Sequence, residues 1–378
     1  MNATMKMIAV VVMGWMCLAP RSGHGEAARS HSTSRMEQIQ VASDGKSFVK
    51  SPSGERFTPW GVNYDHDRSG RLLEYYWKNE WNTVAGDFAE MKELGANTVR
   101  IHLQVSRFMQ SARKPNAESL KLLSRLIGLA ETSGLYLDLT GLGCYDSKDV
   151  PAWFNALGEQ ERWAVQARFW EAVSRVASRS PAVFCYDLMN EPIVANGKHD
   201  DWTPGEFGGF HYTQLLTLDL AGRDPKAVAA EWVDRMTAAV RKHDKSHLIT
   251  VGAIPWNLTW LNAQPVFYST NASRRLDFVS VHFYPKSHEI PRALKALAAY
   301  ELGKPIVVEE MFPLSCSIAE LDRFIDGSKG IASGWISFYW GKTIREYQKE
   351  KRGIPDQVLM EWLENFKKKA PEMTGPAR

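Results

Sequence analysis

The chain has 378 residues, 44% of them hydrophobic and 24% charged, which is too apolar for a disordered protein and ample for a large core. Its net charge is only +3, and Lys and Arg are scattered through helical stretches rather than gathered in a stripe, which argues against nucleic acid as a partner. A length of this kind suits two domains or one barrel of alternating strands and helices, so the pattern along the chain must decide.

Lys6 precedes the apolar run "MIAVVVMGWMCLA", then Pro20 and the small residues Gly23 and Gly25. Residues 1–25 therefore read as an export signal, and the expected location is secreted, extracellular or periplasmic. An uncleaved anchor is the alternative, but the run is too short to span a bilayer and no second span follows, so no membrane span is expected after signal removal. Residues 26–40 are small and polar and read as a flexible lead-in, followed by one domain over 41–370 and a tail over 371–378. Once the signal is gone, Cys144, Cys185 and Cys316 remain, with no Cys-x-x-Cys spacing for zinc or redox chemistry. Cys185 reads as a small buried apolar group, while Cys144 and Cys316 follow strands and are left as a candidate pair.

"FVKSPSGERFTPWGVN" reads as an N-terminal hairpin turning at Pro-Ser-Gly and leading into a strand over Thr58 to Asn63. Seven more short apolar runs follow, at 98–103, 135–142, 183–189, 248–253, 277–284, 305–310 and 334–340. Each is rich in β-branched or aromatic residues. Stretches of helical period separate them: Trp81 to Leu94, Ser119 to Ser133, Glu161 to Ser178, Pro225 to His243, Arg292 to Leu302 and Ile318 to Asp326. Gly95 and Gly134 fit helix ends. The weakest helix is the fifth, where "PWNLTWLNAQPVFYSTNASRRL" is interrupted and aromatic. Eight alternations of a strand apolar on both faces with a helix predict a single-domain α/β fold, a closed (β/α)8 TIM barrel, rather than an open doubly wound sheet.

In such a barrel, functional groups gather at the C-terminal ends of the strands. The second end offers Arg100 and His102, the fourth Asn190 and Glu191, the sixth His282 and Tyr284, the seventh Glu309 and Glu310, and the eighth Trp340. Unpaired buried charges are costly, so several ionisable groups converging where apolar runs stop suggest one shared site. Two carboxylates on separate strands are what glycoside hydrolysis needs: one protonates the departing oxygen, and the other attacks the anomeric carbon or activates water.

"LGANTVRIH", "YDLMNEP", "VSVHFYP", "KPIVVEEMF" and "ISFYWG", in that order, resemble the strand-end motifs of glycoside hydrolase family 5, the cellulase and mannanase family of retaining β-glycosidases. The resemblance runs from about Thr58 to Trp340. It implies that Glu191 is the general acid/base and that Asn190 holds the sugar 2-hydroxyl. It aligns Glu310 rather than Glu309 with the nucleophile. Arg100 then resembles the arginine that keeps the nucleophile ionised, Tyr284 the tyrosine bonded to it, His282 the histidine near the acid/base, and Trp340 the aromatic floor under the sugar. No cofactor and no metal are implied, and the expected partner is a β-linked oligo- or polysaccharide met by a monomer. Two departures stand out. "LDLTGLGCYD" lacks the family's usual third-strand His, and Met311 and Phe312 replace the usual aromatic and Gly after the nucleophile, so that Phe312 is expected to narrow or reshape the cleft.

Plainer readings accompany these. Arg100 also suits a buried ion pair with Asp138 or Asp187, His102 a core histidine, and Asp187 a supporting residue. Trp60, Trp77, Trp153, Trp202, Trp256 and Trp260 lie in or near loops on the strand-end side, where each either stacks on sugar or packs in the core. The loop over 193–224 is long enough for a binding or lid role. Its His199, Asp200 and Asp201 are too close in sequence for one metal coordination sphere. The function expected is a retaining glycoside hydrolase, endo-acting on a β-mannan or β-glucan. The alternatives are a β-glycosidase for short or lipid-linked glycosides, a catalytically silent carbohydrate-binding barrel, or a barrel enzyme using the same carboxylates for proton transfer, since fold alone does not assign chemistry.

Overall fold

The computed structural model describes residues 36–260, 263, 265–350 and 353–375. The expected signal at 1–25 and the lead-in as far as 35 lie outside the described residues. Residues 38–40, expected in the flexible lead-in, instead belong to strand β1 (Gln38–Val41), which pairs antiparallel with β2 (Phe48–Ser51), itself paired with β3 (Arg56–Phe57). The polar run "EQIQ" gives no hint of this because its pairing partner, not its composition, orders it. The hairpin expected at Pro-Ser-Gly is present, with Gly54 at φ +74.

The eight apolar runs become β4 (Trp60–Asn63), β5 (Thr98–Gln104), β6 (Tyr136–Gly143), β7 (Val183–Asn190), β8 (Leu248–Ala253), β9 (Val279–His282), β10 (Ile306–Glu310) and β11 (Gly334–Phe338). They pair in parallel in chain order, and β11 closes onto β4 through partners such as Ile336 with Gly61 and Phe338 with Asn63. Nearly every strand residue is buried, as expected when side chains meet the barrel interior on one face and helices on the other.

The connecting helices are α1 (Trp81–Glu93), α2 (Ala117–Ser133), α3 (Glu159–Ala177), α4 (Pro225–Arg241), α5 (Ile290–Ala298), α6 (Ile318–Ser328) and α7 (Ile354–Thr374). Their limits have local causes. Asn116 caps α2 by accepting from the Glu118 amide at 3.1 Å, and Gly134 ends it in the left-handed conformation at φ +62. Between β8 and β9, where the sequence is interrupted, the described residues form only two short helices, Trp256–Thr259 and Thr270–Ser273. The last helix, α7, was not singled out from helical period. Its Trp362 and Phe366 are buried, Phe366 stacks on Trp60 at 4.4 Å, and the helix continues through 371–374, which the expected tail included.

The N-terminal sheet closes one end of the barrel. Ile39, Phe48 and Phe57 pack with Phe184, Cys185, Leu248, Phe278 and Val307, and the Phe48, Phe184 and Phe278 rings lie 5.3–5.4 Å apart. Polar residues are left to the other end, where β5, β7, β9 and β10 stop.

Cys144, Cys185 and Cys316 are all free. The candidate pairing of Cys144 with Cys316 is therefore not made, as the two follow strands β6 and β10, which are not neighbours in the barrel. Among the described residues no helix is long and apolar enough to cross a membrane.

Candidate active site

Arg100 stands at the centre of the strand ends and is fully buried. Its Nη1 donates to Asn63 Oδ1 at 2.8 Å and Glu310 Oε1 at 2.7 Å, and its Nη2 donates to Asp187 Oδ2 and Asn190 Oδ1, both at 2.8 Å. Both readings of Arg100 thus hold together: it is the ion-pair partner of Asp187 and the cation beside Glu310. The planar fork makes this possible, because it presents several donors in fixed directions.

Glu309 and Glu310 are adjacent, and in a regular strand they would face opposite ways. The β9–β10 register shifts here: Val281 pairs with Val308, but His282 pairs with Glu310, so β10 carries one extra residue. This bulge lets both carboxylates meet Arg100, at 3.5 Å for Glu309 and 2.7 Å for Glu310. Their surroundings differ. The Glu309 side chain is wholly buried, whereas that of Glu310 is 10% exposed and accepts from the Tyr284 hydroxyl at 2.7 Å.

A second shift in β7 sets Thr250 opposite Asp187 but Gly252 opposite Asn190. Glu191 follows in the left-handed conformation, at φ +46, with its N–H donating to Gly252 O at 2.8 Å. The extra residue and the positive φ answer how Asn190 and Glu191, neighbours in sequence, both reach the mouth. Glu191 is 17% exposed and its Oε1 lies 2.9 Å from His282 Nδ1. One carboxylate oxygen each from Glu191 and Glu310 and one ring nitrogen of His282 all lie within 4.8 Å of one another. Asn190 also donates through Nδ2 to Tyr212 O at 2.9 Å, so its amide is fixed at both ends.

His282 touches three carboxylates, since its Nε2 is 3.3 Å from Glu309 Oε2 and its Nδ1 is 3.4 Å from Glu310 Oε2. Burial disfavours its cation, but the charge of Glu310 and the hydrogen bonds to Glu191 and Glu309 outweigh this and push its pKa up to about 10. Glu309 is likewise opposed by burial, yet Arg100 and His282 hold it down to about 2. Burial and the Glu309 charge raise Asp187 to about 7 and keep Asp138, whose oxygens have no hydrogen-bond partner among the described residues, well above the usual carboxylate range. The site is therefore a network of carboxylates around two fixed cations.

Two groupings have the spacing of metal ligands, Glu191 with His282 and Glu310, and Asp138 with Asp187 and Glu309. In the first, both ring nitrogens of His282 already meet carboxylates, Nδ1 that of Glu191 at 2.9 Å and Nε2 that of Glu309 at 3.3 Å. In the second, the Arg100 guanidinium already supplies the positive charge between the carboxylates. His199 and Asp201 are engaged locally, on Asn196 O at 3.0 Å and the Thr203 amide at 3.0 Å, as turn residues are.

Trp340 lies just beyond β11, stacked on Phe338 at 5.7 Å, with Phe312 edge-on at 5.1 Å. Phe312 therefore backs Trp340 and also meets Trp362 at 6.2 Å. His102 is a buried histidine whose Nδ1 lies 2.5 Å from the Tyr145 hydroxyl; burial and the Arg100 charge push its pKa well below the ordinary value. Tyr145, at the end of the third barrel strand, supplies a polar group near where a His was missed. The long loop runs back across this region: Gln214 Nε2 donates to Leu142 O at 2.6 Å, His211 N to Tyr145 O at 2.9 Å, and Phe210 stacks on His66 at 5.5 Å. Of the six Trp weighed as sugar platforms, Trp60, Trp77 and Trp202 are buried, and Trp153 packs partly buried against the core. Trp256 and Trp260 line an open pocket.

The residue pattern of the cellulase family, glycosyl hydrolase family 5, matches residues 54–311. The chain belongs to that family. Among family relatives it is 27% identical, over 237 residues, to mannan endo-1,4-beta-mannosidase A of Podospora anserina, a match covering 57% of this chain and 56% of that protein. The chain thus spans little more than half the length of that relative. Its fold is similar to an exo-beta-1,4-mannosidase, Op5Man5, from Opitutaceae bacterium strain TAV5 (TM-score 0.66, 18% identity, 89% of this chain and 62% of that one). It is also similar to a beta-1,4-mannanase from the sea hare Aplysia kurodai (TM-score 0.60, 14% identity, 90% and 99%).

Two structural contributors were missed from sequence. Asn63 fixes Arg100 and donates to Glu309 O at 3.0 Å and Ser337 O at 2.8 Å; its place at the end of the first strand was the available signal. Gly252 was invisible, because its role is to leave space: a Cβ there would stand 2.6 Å from Glu309 Oε2 and 2.8 Å from His282 Nε2.

Proposed function

We propose that the protein is a retaining glycoside hydrolase, endo-acting on β-mannan, with Glu310 as nucleophile and Glu191 as acid/base. One observation carries this reading: the Glu191 and Glu310 carboxylate oxygens approach within 4.8 Å across the barrel mouth, the range in which the second carboxylate attacks directly, about 5 Å, rather than leaving room for water. Mannan as the polymer is supported by the relative from Podospora anserina, named as a mannan endo-1,4-beta-mannosidase.

The chemistry follows from the contacts. Arg100 and Tyr284 hold Glu310 from its two oxygens and aim it at the sugar resting over Trp340. Glu310 attacks the anomeric carbon while Glu191 gives its proton to the departing oxygen, so the glycosidic bond breaks as a glycosyl ester forms. Glu191 then takes a proton from water, the water oxygen attacks the same carbon, and Glu310 leaves as carboxylate with the original configuration restored. Asn190, locked by Arg100 and Tyr212, offers its remaining amide hydrogen to the 2-hydroxyl. The protonated His282 keeps both working carboxylates in place. An export signal at 1–25 would deliver such an enzyme to polymer outside the cell.

The test is reducing-sugar release from mannan, glucomannan, cellulose derivatives and mixed-linkage glucan. Activity on mannan should fall at least 10³-fold in Glu310→Gln and in Glu191→Ala, with unchanged far-UV circular dichroism. Substantial turnover by Glu310→Gln would overturn the assignment.

A further inference from the structure

Asp138, inside the barrel on β6, is an acid for which the reaction has no use. It is fully buried, and neither of its oxygens meets a hydrogen-bond donor among the described residues. Arg100 on β5, Asp187 on β7 and Glu309 on β10 face it, and Cys185, in register with it on β7, presents a thiol that burial keeps protonated. Asp138, Asp187 and Glu309 each bring one oxygen within 4.8 Å of the others. Three ionised carboxylates so close, away from water, repel one another.

The nearby donors are already engaged. The Arg100 Nη atoms donate to Asn63, Glu310, Asp187 and Asn190, and the Gly252 amide donates to Asp187 Oδ1 at 2.7 Å. His282 Nε2 meets Glu309 Oε2 at 3.3 Å. Among these three carboxylates, both oxygens of Asp138 and Oε1 of Glu309 are left without a donor. One proton on Asp138 meets both shortages, because it removes one of the facing charges and makes Asp138 a donor for Glu309 Oε1. Burial, reinforced by the Glu309 charge, favours the neutral form of Asp138, whereas Arg100 and His282 keep Glu309 ionised.

We propose that Asp138 is a positioning residue: a carboxylic acid that keeps its proton, donates it in a hydrogen bond to Glu309, and through Glu309 holds His282 against Glu191. The line of contacts is continuous. Glu309 receives Asp138 at Oε1 and meets His282 Nε2 with Oε2, and His282 Nδ1 lies 2.9 Å from Glu191 Oε1. An ionised Asp138 would repel Glu309 from this place, and an apolar residue would leave Glu309 Oε1 unmet in a water-poor interior. The consequence for catalysis rests on the assignment of Glu191 as acid/base, whereas the shared proton does not.

The experiment is infrared difference spectroscopy at neutral pH, wild type minus Asp138→Asn, with mannan hydrolysis measured on the same preparations. Wild type should show the C=O stretch of a protonated carboxyl group that Asp138→Asn lacks. Asp138→Asn, neutral and able to donate to Glu309 through its amide, should keep kcat within about threefold, while Asp138→Leu, of similar size with no donor, should lower kcat about ten- to a hundredfold with KM little changed. A difference spectrum without the protonated-carboxyl band overturns the proposal. So does a folded Asp138→Asn as slow as Asp138→Leu, or an Asp138→Leu as fast as wild type. If Asp138→Asn does not fold, wild type minus Asp138→Leu reads the same band. If wild type cleaves no mannan, the proposed activity has failed, and the band together with the ring-nitrogen chemical shifts of His282 decides the positioning role alone. Shifts native in Asp138→Asn and displaced in Asp138→Leu support it, and shifts native in both overturn it.

Discussion

Arg100 shows how one side chain serves structure and chemistry together. It is buried among Asp187, Glu309 and Glu310, so removing it leaves carboxylates without their cation in a water-poor interior. Breaking one side of a buried ion pair typically costs about 3–5 kcal/mol, and Arg100→Ala should show a loss of that size in urea unfolding together with loss of hydrolysis. Arg100→Lys should not rescue activity, because an ammonium cannot reproduce donors to four side chains in fixed directions. A Lys variant with near-native kcat would show that charge alone, without the fork, is sufficient.

At the level of elements, the site is made by irregularity. The extra residues in β7 and β10 turn four sequence neighbours, Asn190, Glu191, Glu309 and Glu310, toward one place, and β8 makes room for them by offering Gly252. Gly252→Ala should therefore displace Glu309 and His282. Overpacking of this kind costs roughly 1–3 kcal/mol, and the activity loss should exceed what stability explains, since the displaced His282 contacts both Glu191 and Glu310. Thermal melting and kcat measured on the same preparation check both parts. The connection between β8 and β9 is another case: its short helix Trp256–Thr259 is followed at once by Trp260, whose indole stacks on that of Trp256 at 5.4 Å.

For the whole molecule, the buried network makes stability depend on pH in a direction that the shifts define. His282 has its pKa raised from 6.5 to about 10, so its contribution is complete below about pH 6.5 and is lost as pH rises through 10. Glu309 is lowered from 4.5 to about 2, so its contribution is present above about pH 4.5 and is lost as pH falls toward 2. Asp187 acts in the opposite sense: raised from 3.8 to about 7, it favours the folded state at acid pH and ceases to do so as pH passes 7. The melting temperature should therefore decline from mildly acid pH toward pH 10, and the alkaline part of that decline should be shallower in His282→Gln. A melting profile flat between pH 6.5 and 10 in both proteins would count against the shift assigned to His282. The N-terminal sheet contributes at this scale too, because the Phe48, Phe184 and Phe278 cluster packs against the barrel end away from the network.

The barrel was legible in the sequence because its strands are short, apolar on both faces and regularly spaced, and because Gly95 and Gly134 mark helix limits by local chemistry. Residue types at strand ends likewise located Arg100, Asn190, Glu191, His282, Tyr284, Glu310 and Trp340. The resemblance favours Glu310 over Glu309, but how both come to meet Arg100 was hidden, since a bulge is a matter of register between strands far apart in the chain. The same limit hid Gly252, whose function is an absence of atoms, and the strand at 38–41, which is ordered by its partner. Periodicity and local propensity act along the chain and can be read there; register, burial and the fields of buried charges act between segments, and only tertiary structure fixes them.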